Sequence, residues 1–208
     1  MTRLPLLLLA AAALAADLPK IFYSKSFPGS APPFAAVTVD KNGRGEYREA
    51  PEDDNPLVFQ LTPGETGEIF ALAGKLDRFK RPLEANLKVA NTGIKTFRYQ
   101  HGAENNEVKF NYSTDADARL LWDWFERIAE TEQNLIRLER VAKYDRLGVN
   151  DAILLLQVSH ERKRLVAPQQ FLPLLERIAK SGSYVHMARE RAASLVEAFR
   201  AGNAPQPQ

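Results

Sequence analysis

The period of the apolar residues changes once along this chain, near Ser113, and that change fixes the class of fold open to it. Before it, apolar side chains alternate with polar ones; after it they recur every third or fourth residue. Period two sends successive side chains to opposite faces of a strand, whereas period 3.6 lines one face of a helix. The chain is therefore expected to be α+β. An antiparallel sheet of four or five strands, with helices on one face, precedes an all-helical C-terminal half. The corresponding units are 17–112 and 113–202, each large enough to bury a core.

Within the first unit, Ile21-Phe22-Tyr23 reads as an edge strand, because the loop Phe27-Pro28-Gly29-Ser30-Ala31-Pro32-Pro33 cannot continue a sheet ladder. Val37 and Val39 share a face of the next strand, and Asp40-Lys41-Asn42-Gly43 turns the chain into a partner at 45–49. Leu57, Phe59 and Leu61 alternate in a third segment that leads into Thr62-Pro63-Gly64-Glu65. There Thr62 caps a helix, Pro63 suits its first position and Glu65 completes a capping box. Ile69, Leu72, Ala73 and Leu76 then fall on one face. A second hairpin pairs the Phe97 and Tyr99 strand with the Val108, Phe110 and Tyr112 strand, leaving 101–106 as a polar connection.

In the second unit, Asp115 and Asp117 open a helix at its positive end. Ala118, Leu121, Trp122, Phe125, Ile128, Ala129, Leu135, Leu138 and Ala142 trace its apolar stripe to about Tyr144, and Gly148 is expected to stop it. At ~1.5 Å per residue it is about 45 Å long, too long for the sheet alone, so it is expected to join both units. Further helices are expected at 151–165, at 168–180 and at 183–200 ending by Gly202; Pro173 implies a kink or a later start. The 203–208 tail is expected to be disordered. Trp122 and Trp124 point about 200° apart on such a helix. Trp122 belongs to the stripe, so Trp124 either packs against the helical half or is an exposed binding aromatic.

Residues 1–16 read as a signal peptide: Met1-Thr2-Arg3 is positive, an apolar run follows, and Ala13-Leu14-Ala15 is an A-x-A cleavage pattern. The apolar run is about 11 residues, against ~20 for a spanning helix, so no transmembrane anchor is expected after cleavage. The expected location is periplasmic or secreted. The chain has 208 residues and no cysteine, so neither a disulfide framework, a lipid anchor nor thiolate chemistry is open to it. Lys and Arg balance Asp and Glu at 13 to 13 over 17–112 and 14 to 13 over 113–208, so no nucleic-acid partner is expected. Arg162-Lys163-Arg164 reads as a solvated helix face.

No motif nominates catalytic residues, a cofactor or a metal. His101, His160 and His186 fall in separate elements without ligand spacing. The run from Asp40 fails as a calcium loop, because Arg44 stands at its fifth position and Pro51 at its twelfth. Glu52-Asp53-Asp54 reads as a solvated loop, and no serine lies in a G-x-S-x-G turn. The expected function is a non-enzymatic binding or interaction module for an envelope or extracellular protein. Two alternatives stand beside it: a hydrolase of an envelope or extracellular polymer that uses carboxylates, and an envelope assembly scaffold. The expected binding surface is Phe27, Pro28, Pro32, Pro33 and Phe34, where the loop meets the sheet edge, together with Trp124. The competing reading makes Phe27 and Phe34 plugs at the end of the core.

Residues 22–128 resemble uncharacterised exported bacterial proteins with an N-terminal domain of unknown function. The likeness lies in Tyr23-Ser24-Lys25-Ser26-Phe27-Pro28-Gly29, the hairpin ending at Tyr47, the 62–76 helix followed by Phe79, and the 95–112 hairpin. It implies a layout of hairpin, strand, helix, hairpin and helix, and carries no activity or site residue.

Overall fold

Every period-two segment becomes a strand. They are β1 (Lys20–Ser26), β2 (Phe34–Asp40), β3 (Arg44–Arg48), β4 (Leu57–Gln60), β5 (Ile94–His101) and β6 (Glu104–Phe110). All neighbours are antiparallel, in the order β4-β3-β2-β1-β5-β6. The structure, a computed structural model, describes residues 17–202. The signal-peptide reading of 1–16 and the disordered-tail reading of 203–208 lie outside the described residues.

The sheet has six strands, not four or five, and Ile21-Phe22-Tyr23 is central, not an edge. β1 pairs with β2 on one side and β5 on the other along its whole length. A short apolar triplet reports which way its side chains face, not how many neighbours its backbone has. The edges are β4 and β6. The expected polar connection at 101–106 is largely sheet as well, since His101 pairs with Glu104 and Tyr99 with Asn106.

Cross-strand rows build the buried face. Tyr23 stands between Val37 and Phe97, Val37 is opposite Tyr47, and Phe97 is opposite Val108. Tyr23 stacks on Phe125 with ring centroids 5.0 Å apart. One pair breaks the apolar pattern: Lys25 lies directly opposite Lys95.

The Thr62 capping box forms as expected at the start of α1 (Pro63–Lys75): Glu65 N donates to Thr62 Oγ1 at 3.3 Å, and Thr62 N donates to Glu65 Oε2 at 2.8 Å. α2 (Ala116–Tyr144) begins with Asp115 Oδ1 accepting from Asp117 N and Ala118 N. It ends where Asp145 leaves helical geometry at φ −142°. Gly148 therefore does not stop α2; it precedes α3 (Val149–Glu161). α4 (Leu172–Lys180) carries Pro173 in its first turn, the later start that Pro173 allows, and α5 (His186–Gly202) closes the fold.

The core falls into two clusters. The first joins the buried sheet face to Ile69, Leu72 and Ala73 of α1 and to Ala118, Leu121, Phe125 and Ile128 of α2. The second joins Leu135 and Leu138 of α2 to α3, α4 and α5. α2 thus supplies both. A return segment ties them again: Ala167 N donates to Glu65 Oε1 at 3.0 Å, Val166 N donates to Thr131 Oγ1 at 3.0 Å, and Arg164 pairs with Asp123 and Glu130. No helix among the described residues is long and apolar enough to cross a membrane.

Candidate functional site

Trp122, Glu126, Gln133, Arg137 and Arg140 are spaced to follow one stripe of α2, and three concavities follow that stripe. The first, about 630 Å³, is bounded by Arg119, Leu120, Trp122, Asp123 and Arg164. Glu126 separates it from the second, about 170 Å³, where Tyr23, Lys25 and Pro32 meet Gln133. Pro32 and Gln133 also line the third, about 520 Å³, which opens between Arg137, Arg140 and the start of α3. Consecutive concavities share lining residues, so they lie in a row along α2 as a groove interrupted at Glu126.

Glu126 is the centre of this groove. Its Oε1 accepts from Tyr23 Oη at 2.5 Å and from Trp122 Nε1 at 3.1 Å, and its Oε2 pairs with Lys25 Nζ at 3.1 Å. Burial opposes ionisation, but the Tyr23 hydroxyl and the Lys25 charge outweigh it and hold the carboxyl below its ordinary range. Tyr23 is pushed well above the usual phenol value, first by burial and then by Glu126.

Lys95 lies beneath the groove with no exposed surface. Its ammonium donates to Thr92 Oγ1 at 2.8 Å, Asn111 O at 2.8 Å and Gly93 O at 3.0 Å, and stands 4.2 Å from the centre of the Trp122 ring. Burial first, then the like charge of Lys25, push its pKa down to about 8. Three oxygens and an indole face offset the cost of burying the charge. Trp122 is thereby held by a hydrogen bond at its edge and a cation on its face.

Of the residues expected to bind, Pro32 lines the groove. Pro28 and Pro33 are exposed, while Phe27 and Phe34 are half-buried and lie outside both core clusters, so neither plugs the core. The loop closes on itself, with Phe27 N donating to Pro33 O and Ser30 Oγ to Phe27 O. It links two interior strands, so it does not meet a sheet edge. Trp124 packs against the first core cluster instead of the helical half, because this stretch of α2 lies over the sheet; the Arg127 guanidinium covers its ring at 4.4 Å. The structure does not place Trp124 in the groove lining.

Tyr23, Lys25, Lys95 and Glu126 escaped sequence reasoning. The signal was present: Lys25 follows Ile21 and Tyr23 in phase, and Lys95 precedes Phe97 and Tyr99 in phase, so both lysines occupy inward positions. A charge in register with an apolar face needs a partner inside. Among the described residues no group of three His, Asp or Glu converges on a metal position. No protein-family model matches the chain, and no curated protein matches it.

Proposed function

We propose that the protein is exported and is a non-enzymatic binding module that holds an extended polar segment of an envelope or extracellular protein along α2. Glu126 carries this reading. A carboxylate poised to transfer a proton is tuned toward neutral pH. This one is held ionised by three donors, which suits a fixed anchor. Around it the groove offers a fixed indole, separate cations and carboxylates, and the amide of Gln133, spread over about 35 Å between Ala116 and Arg140 at ~1.5 Å per residue. An extended chain of about ten residues matches that length at ~3.3 Å each. Preorganised polar groups in an open groove bind at low ordering cost.

The test is capture from an envelope fraction with the full chain as bait, repeated with Arg119→Glu and Arg137→Glu at the two ends of the groove. Both side chains are exposed, so thermal melting should not move. Capture of the enriched protein should fall at least tenfold in each variant. An unchanged set of captured proteins would remove the groove from the function. Export is checked by the N-terminus of the secreted or periplasmic protein, expected near Ala16 or Asp17; an intact Met1 in the cytoplasm would remove that part.

A further inference from the structure

Tyr144 and Leu147 are the two most exposed large apolar side chains among the described residues, at 73% and 79% exposure. Tyr144 is the last residue of α2, and Leu147 stands on the turn that follows it into α3. That turn is held in shape by its own hydrogen bonds: Asp145 N donates to Val141 O at 2.8 Å, and Gly148 N donates to both the carbonyl and Oδ1 of Asp145 at 3.1 Å. A Cβ at Gly148 would lie 2.4 Å from Asp145 Oδ2, so a larger residue there would have to displace the Asp145 carboxylate. The two apolar side chains are displayed by a preformed turn.

Cations surround them. Arg137, Arg140, Lys143 and Arg146 are all exposed and make no ion pair among the described residues, while Glu139 and Asp145 are the acids on the same stretch. Lys143 Nζ lies 4.9 Å from the centre of the Tyr144 ring. Tyr184 Oη donates to Ala142 O at 3.2 Å, which brings exposed Val185 to the same end of the molecule.

We propose that this turn docks the protein on an anionic lipid bilayer, with Tyr144 and Leu147 entering the interface and Arg140, Lys143 and Arg146 resting on lipid phosphates. The charge is complementary, tyrosine favours the interfacial zone, and long basic side chains reach phosphates while their stems stay in apolar surroundings. A protruding turn inserts into a deformable surface, whereas a protein partner would need a matching pocket. The site adjoins the far end of the groove and shares Arg140 with it, but Lys143, Arg146 and Leu147 do not line the groove, so either reading can fail alone.

The experiment is co-sedimentation of the chain from Asp17 onward, which carries every element among the described residues, with vesicles of phosphatidylcholine alone or mixed with phosphatidylglycerol. Starting at Asp17 keeps the apolar leader from binding lipid by itself. Binding should appear with phosphatidylglycerol and fade as salt is raised. Leu147→Asp should abolish it, and Lys143→Glu and Arg146→Glu should each weaken it at least about fivefold, all with unchanged melting. Equal binding to both vesicles, or full binding by Leu147→Asp, would overturn the proposal. So would lipid-free self-association that Leu147→Asp removes, because the turn would then be covered by a second copy.

Discussion

Glu132 sits where the two cores meet, 1% exposed, with Oε1 accepting from Gln170 Nε2 at 2.9 Å and no partner for Oε2 among the described residues. Burial raises its pKa, Gln170 opposes the rise and Glu139 adds to it, and the carboxyl is pushed up to about 7 from an ordinary 4.5. The sign for stability follows from proton counting. Below the unfolded pKa both states are protonated and the group costs nothing. Between the two values the unfolded chain releases its proton first, so stability falls as pH rises; above the folded value the cost is constant, at about 3 kcal/mol. Glu132→Gln should remove this slope. Urea unfolding at pH 5 and pH 8 should show the gap between variant and wild type changing by about 2–3 kcal/mol in the variant's favour. A constant gap would mean that Glu132 is not the buried acid described.

Among elements, α2 has the most to lose from one substitution. Leu135 is 8% exposed and begins the second cluster, immediately past the part of the helix that covers the sheet. Leu135→Asp places an unpaired charge there and should cost several kcal/mol, read as a lowered thermal midpoint; unchanged melting would show that this end of the helix is free of the bundle. The long helix was legible because its apolar stripe keeps helical spacing on both sides of Glu132, and the Thr62 helix because its cap and its first turn agree. The place of β1 was not legible, since pairing on both sides depends on β5, more than sixty residues later in sequence. The groove was hidden for the same reason: Tyr23 and Lys25 meet Glu126 only once sheet and helix are packed, at a separation of about a hundred residues. Local pattern announced inward-facing lysines but not the acid that would meet them.

On the scale of the whole molecule, the two cores are joined through α2, through Leu57 of β4, which packs against both, and through the return segment that fixes Val166 and Ala167 to Thr131 and Glu65. The joint acts as a keyed shaft. One residue added between Ile128 and Leu135 would turn one end against the other by about 100° and advance it ~1.5 Å, carrying Leu135 and Leu138 away from the partners they bury against. Adding whole turns would restore the angle but lengthen the shaft by ~5.4 Å each, and the return segment would no longer reach Glu65. Angle and length are thus both metered, the first by the helix and the second by the strap beside it. The two halves are cut to one gauge, and neither can be exchanged for a half taken from another chain unless that gauge is copied with it.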